Sequence, residues 1–193
     1  MHDSKGWVSA AACGVTIVVV HSGEEPHMTD MLIRPAVPND LPMLVEIFNH
    51  YVIHSHATFQ TALQTVESRQ PWFDTYGEGR HQLLVASLEG AVVGYASSSP
   101  YRPGPAFATT VETSVYLHPE HRARGTGSAL YAALFDRLRQ QDVHLAVAGV
   151  ALPNAASLAL HRRMGFEEVG TFREYARKNG SWISSTWFQR GFA

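Results

Sequence analysis

A chain of 193 residues, 45% hydrophobic and 17% charged, is long enough for one substantial core and implies a single domain. Its formal net charge of −2 supplies no general electrostatic attraction to nucleic acid or to an anionic membrane. The lone cysteine, Cys13, excludes a disulfide framework and a multi-cysteine metal site, which makes the cytoplasm the default location.

The first feature along the chain is an apolar run, Val8 to Val20, behind Lys5. It loosely imitates a signal peptide. Only one basic residue precedes it, no small-x-small cleavage site follows, and it is too short to span a bilayer as a helix. Residues 1–28 are therefore expected to be an extension, disordered or non-native, ahead of one domain at 29–193. Orderly patterning begins at Met31, and Met28 and Met31 are both plausible starts.

Met31 to Arg34 reads as a short strand, punctuated by Pro35 and Pro38. Asn39 or Asp40 can cap a helix in which Leu41, Leu44, Val45, Phe48 and Tyr51 recur at helical spacing. A second helix is expected over Thr65 to Tyr76. In QLLVASLEGAVVGYASS, two β-rich runs flank a Glu89-Gly90 turn, which predicts a hairpin. Thr110 to Leu117 is the next strand, with Val111, Thr113, Val115 and Leu117 on one face and Glu112, Ser114 and Tyr116 on the other. A helix follows, its inner stripe formed by Leu130, Leu134 and Leu138 and widened by Tyr131 and Phe135. Val143 to Val150 reads as a buried strand. A helix then runs from Pro153-Asn154 to about Met164 and stops at Gly165. Phe166 to Val169 and Trp182 to Gln189 are the last strands. The order β-α-α-β-β-β-α-β-α-β-β implies an α/β fold, a mixed sheet with helices on its faces.

The stretch HPEHRARGTGSAL, His118 to Leu130, carries the first chemical signal. A strand, a glycine-bearing loop and a helix place free N–H groups where an anion can sit. Gly125 and Gly127 would let the main chain approach that anion, and Arg122 and Arg124 add charge at the rim. A P-loop would end in Gly-Lys-Ser/Thr, which is absent, and a dinucleotide fingerprint would need glycine where Leu130 stands. A phosphate cradle of another kind and a plain loop leading into a helix both remain open on these residues alone.

Arg122 to Gly127, R-x-x-G-x-G after SVYLHPEHR, resembles the acyl-CoA motif of the GNAT superfamily of N-acetyltransferases. LPNAASLALHRRMGF, Leu152 to Phe166, resembles a second element of that family. FNHYVIHSHATF, TVETSVYLHP and KNGSWISSTWFQR are similar to its phosphinothricin and methionine sulfoximine acetyltransferase group, in the right order. The resemblance covers nearly all of Met31 to Arg190. It implies a GNAT fold, a mixed central sheet flanked by helices with a splayed central strand pair. It also implies acetyl-CoA as co-substrate and direct transfer of acetyl to the amino group of a small amino-acid-like acceptor. A homodimer is implied by the same relatives.

The resemblance distributes roles along the chain. Coenzyme A pyrophosphate would rest on Arg122, Ala123, Arg124, Gly125, Thr126, Gly127 and Ser128. The pantetheine arm would lie along Val115, Tyr116 and Leu117, pairing as an added strand does, with an amide there available to the thioester oxyanion. Asn154, Ser157 and His161, spaced i, i+3, i+7, share one helix face. The first two would bind the arm, and His161 would stand beside the departing sulfur, where many members carry tyrosine. Glu112, a carboxylate in mid-strand, would assist removal of the ammonium proton. Its structural alternative is an ion pair with a nearby arginine. Any single histidine has a structural alternative too.

For the acceptor pocket the candidates are Phe59, Arg80, Tyr101, Arg102, Phe107 and Thr110, with Arg102 suited to pair with a carboxylate. Ala108 and Ser184 stand where relatives often carry charged residues, which leaves the acceptor more open than the reaction. Eleven histidines raise the question of a metal. His50 and His54 have zinc-like i, i+4 spacing, but no carboxylate or cysteine completes a set, and no metal is expected. Alternative functions are acetylation of another amine, such as a peptide terminus or an antibiotic, and an acyl-CoA-binding sensor without turnover.

Overall fold

The computed structural model describes residues 11–12, 15–16, 31–122 and 125–192. Ahead of the main fold, Ala11–Ala12 and Val15–Thr16 pair antiparallel. The rest of the expected N-terminal extension lies outside the described residues, as do Ala123 and Arg124.

Seven strands form one sheet. They are β1 (Met31–Pro35), β2 (Leu83–Leu88), β3 (Ala91–Pro100), β4 (Thr110–Leu117), β5 (Leu145–Ala151), β6 (Glu167–Lys178) and β7 (Ser181–Gly191). Their spatial order is β1-β2-β3-β4-β5-β7-β6. Only the β4–β5 pair is parallel. The helices are α1 (Leu41–His54), α2 (Val66–Phe73), α3 (Thr126–Leu138) and α4 (Ala155–Arg163). The element order is the one the sequence predicts.

Two apolar clusters cover the two faces of the sheet. On one, α3 buries Leu130, Tyr131, Leu134, Phe135 and Leu138 against Val111, Ala146, Ala148, Val150 and Phe188. Each large side chain so removed from water contributes about 2 kcal/mol. On the other, Leu44 and Ile47 of α1 pack with Val85, Val92 and Tyr95, and Trp72 and Phe73 of α2 join them. The alternation read in Thr110 to Leu117 follows this division. Val115 and Leu117 pack with the α3 cluster, whereas the Tyr116 ring packs against Phe48, Tyr51 and Tyr95.

Several boundaries differ from the sequence reading. The second helix stops at Phe73 instead of Tyr76, while Thr65 caps it by accepting from the Ser68 N–H at 3.1 Å. The buried strand read from Val143 begins at Leu145. The strand expected over Phe166 to Val169 is β6, 12 residues long. Most of β6 is exposed at the sheet edge, so no apolar alternation marks it; its ladder with β7, interrupted by two register shifts, defines it instead. Asp40 occupies the N-cap position of α1 without capping it. Its carboxylate turns back to take Arg34 through two bonds, 2.6 and 2.9 Å, and the Val37 N–H at 2.8 Å.

Candidate active site

The site begins where two strands part. β4 and β5 pair in register only at Thr110, Val111 and Glu112, opposite Leu145, Ala146 and Val147. Beyond Glu112, β4 keeps its antiparallel ladder with β3 up to Leu117, while β5 keeps the ladder with β7 that runs its whole length and parts from β4. The β5-facing backbone of Thr113 to Leu117 is left without a strand partner. A cavity opens in the fork, lined by Thr113, Val115, Gly149, Ala151, Tyr131 and Ala57 together with Asn154, Ser157 and His161. The three α4 residues singled out by spacing thus meet at one place.

Glu112 stands at the apex of the fork, half-buried. Burial pushes its carboxyl pKa up from the ordinary 4.5, and no arginine among the described residues compensates. The ion-pair alternative is therefore not what these residues form. A carboxylate raised toward neutrality by desolvation is a better proton acceptor than an exposed one.

His161 is 4% exposed, and both ring nitrogens are engaged. Nδ1 lies 2.8 Å from the Ser157 carbonyl, which can only accept, so Nδ1 carries the hydrogen. Nε2 is then bare and accepts from the Tyr131 hydroxyl at 2.9 Å. Desolvation lowers the imidazole pKa, which keeps this neutral tautomer in place. Tyr131 is the residue that sequence reasoning took for packing only. Its ring does stack on Phe135, but the residue also borders the cavity and its hydroxyl reaches His161. The one available signal was a hydroxyl-bearing side chain on an otherwise apolar stripe.

Asn154 is the N-cap of α4: its Oδ1 accepts from the Ser157 N–H at 3.1 Å, leaving the amide NH2 for another partner. At the other helix, Gly125 is the N-cap of α3 with φ 79°, a left-handed conformation suited to glycine. Thr126, Gly127 and Ser128 form its first turn, whose N–H groups have no intrahelical acceptor. Gly127 also has a place in the packing of the two helices. A Cβ there would stand 3.1 Å from Leu160 Cδ2 and 3.7 Å from Leu117 Cδ1, so its bareness lets α3 and α4 pack closely. Arg122 donates to His50 Nε2 at 2.9 Å and lies over the Tyr51 ring.

The acceptor candidates divide. Tyr101 and Phe107 meet edge to face at 5.8 Å, Arg102 sits over both, and Tyr101 reaches Trp187 at 6.1 Å. Phe59 contacts Tyr175. Thr110 opens β4, two residues before Glu112. Arg80 donates to the Ala108 carbonyl, next to Phe107, and pairs with Asp142 at 3.4 Å. That engagement braces the β3–β4 loop. Among the described residues no three His, Cys, Asp or Glu side chains group as metal ligands, and no helix is long and apolar enough to cross a membrane.

A parted parallel pair beside the bare first turn of a helix is the geometry the sequence resemblance implied. The sequence model of the family described as "Acetyltransferase (GNAT) domain" matches residues 33–187. The chain belongs to the GNAT acetyltransferases. Within that family it is 46% identical to the phosphinothricin N-acetyltransferase of Streptomyces coelicolor, over 86% of this chain and 98% of that protein. It is 40% identical to the L-methionine sulfoximine/L-methionine sulfone acetyltransferase of Pseudomonas aeruginosa, over 81% of this chain and 92% of the relative. Among solved GNAT structures, an acetyltransferase from Salmonella typhimurium with its cofactor acetyl-CoA superposes with a TM-score of 0.81. That match has 34% identity and covers 84% of this chain and 94% of that one.

Proposed function

We propose a complete reading of the site. The chain is an acetyl-CoA-dependent N-acetyltransferase for a small amino-acid-like amine of the phosphinothricin or methionine sulfoximine/sulfone type. The observation that carries it is Glu112: a desolvated, unpaired carboxylate at the apex of a fork whose free strand edge leads away from it.

The first-turn N–H groups of α3, with Arg122, receive the diphosphate. The pantetheine amides pair with the free edge of β4, which brings the thioester into the cavity. Glu112 lies on one face of the sheet and Tyr131 on the other, so the fork separates the two proton tasks. Glu112 takes a proton from the substrate ammonium, directly or through water, freeing the lone pair for attack on the thioester carbonyl. A β4 amide donates to the developing oxyanion. Tyr131 serves the departing sulfur: its hydroxyl, held by His161 Nε2, can turn to donate a hydrogen bond to the thiolate. His161 then acts through Tyr131.

Residues 1–28 are proposed as an extension outside the catalytic domain, and a cytoplasmic homodimer is part of the same reading. Exposed apolar side chains on the β6–β7 hairpin, among them Phe172 and Trp182 at 58% and 60% exposure, support pairing of two copies. Sedimentation as a monomer only would reject it.

The decisive experiment is Glu112→Gln, assayed by thiol release from acetyl-CoA against a panel of amino-acid analogues. A loss of about 10²–10⁴-fold in kcat is expected, with acetyl-CoA affinity near wild type by calorimetry. An unchanged rate removes Glu112 from the mechanism. A wild-type protein that binds acetyl-CoA but acetylates no amine would favour the sensor.

A further inference from the structure

We infer that Ser185, Trp187 and the bare backbone of Gly149 form a polar acceptor subsite that receives an oxygen on a tetrahedral sulfur or phosphorus centre of the substrate side chain. This rests on the reading of the fork as the transfer site and deepens it.

Register puts the three residues on the face of Glu112. Glu112 lies opposite Val147 across the last bridged pair of β4 and β5, and directly opposed residues point to the same side. Gly149 and Ala151 follow at the period of two. On β7, Trp187 is opposite Gly149 and Ser185 is opposite Ala151. All of these residues therefore look out on the side where the amine must arrive. The even residues of β5, Ala146, Ala148 and Val150, look the other way into the α3 cluster.

Two of these side chains carry buried polar atoms without a partner. Ser185 is fully buried, yet its Oγ has no hydrogen bond, and neither has the buried Trp187 Nε1. Such orphans are uncommon, because each costs about 1–3 kcal/mol. They converge on one point. A Cβ at Gly149 would stand 3.2 Å from Trp187 Cε2, the carbon bonded to Nε1, and 3.5 Å from Ser185 Oγ. The missing side chain lets the Trp187 indole edge and the Ser185 hydroxyl lie directly against the Gly149 backbone, and Gly149 lines the cavity of the fork.

An N–H and an O–H set just behind the bare stretch of cavity wall at Gly149 make a receptor for an oxygen acceptor once a substrate presses in there. The span suits a small substrate. One strand spacing across and two residues along put Gly149 about 8 Å from Glu112 in Cα terms. An amine held at Glu112 would place a group four or five bonds away between the two donors. A thioether or methylene in that position would leave both donors unpaired, which is how such a site rejects the analogue lacking the oxygen.

The test compares kcat/KM for L-methionine sulfone, phosphinothricin and L-methionine, the thioether serving as the reference. Wild type is expected to prefer at least one oxygenated acceptor over methionine by about 10-fold or more, the value of one or two buried hydrogen bonds. Which of the two is preferred tells sulfur-borne from phosphorus-borne oxygen. Ser185→Ala and Trp187→Phe should each lower that preference by about 5–10-fold with acetyl-CoA affinity retained, and Gly149→Ala should depress turnover of the oxygenated acceptor. Ser185→Ala loses only a hydroxyl, so it keeps the test alive if Trp187→Phe fails to fold. Preferences unchanged in both donor variants would overturn the subsite and leave the acetyltransferase standing. Binding of acetyl-CoA without acetylation of any acceptor would overturn the transfer reading and the subsite with it.

Discussion

Lys178, the last residue of β6, is 4% exposed and has no paired acid among the described residues. Its ammonium instead donates to three carbonyls, those of Ser55 at 2.7 Å, Thr58 at 2.9 Å and Tyr51 at 3.3 Å. All three N–H bonds are used, and together they pin the segment after α1 to the β6–β7 hairpin. Ala57 of that segment lines the cavity of the fork. Lys178→Met keeps the aliphatic stem and removes the donors. The Tyr51 carbonyl retains the Ser55 N–H and hydroxyl, so two carbonyls lose their partner. At about 1–3 kcal/mol for each, partly offset by no longer burying a cation, the net loss is about 3 kcal/mol. For a domain of this size that is a fall in Tm of about 6–12 °C. Thermal unfolding followed by circular dichroism measures it. The acceptor KM should also rise while acetyl-CoA affinity holds, because the loosened segment faces the acceptor side. A Tm within about 2 °C of wild type would show that water replaces the ammonium freely and would refute the reasoning.

Other expectations follow from His161 and from the two glycines of the α3 turn. Burial holds His161 below its ordinary pKa of 6.5, so on acidification the unfolded chain binds this proton first. The stability His161 supplies is present above pH 6.5 and is lost as pH falls through its folded value, with a slope of at most about 1.4 kcal/mol per pH unit. His161→Asn should flatten denaturant-measured stability across that window. Only part of the slope will go, since His50 and His81 are also lowered by desolvation. A slope identical to wild type would contradict the burial assigned to this ring. Gly125→Ala forces an alanine into the left-handed region and should cost about 1–2 kcal/mol. Gly127→Ala meets the flexible end of Leu160 and gains about 1 kcal/mol of helix propensity, so it should come out near neutral. Equal losses in urea titrations of the two variants would show that the two glycines serve one purpose.

The sequence by itself determined what depends on neighbours along the chain. Apolar spacing marked α1 and α3, start and stop residues marked α4, the Glu89-Gly90 turn set the hairpin, and the motif around Arg122 to Ser128 pointed to the acyl-CoA family. Glu112 stood out because a carboxylate in mid-strand is costly to bury, and Asn154, Ser157 and His161 because their spacing gives them one face. Tertiary structure decided what depends on partners distant in sequence. Edge strand β6 lacks an inward face, so only its ladder with β7 reveals its length. His161 turned out to address Tyr131 because α3 and α4 pack through Gly127 and Leu160, and Arg80 meets Asp142, 62 residues further on. The orphaned Ser185 and Trp187 became visible only once β7 was set beside β5. Periodicity reports which way a side chain points from its own backbone. Which group it meets there is fixed by strand order and register, and those arise from the packing of the whole sheet.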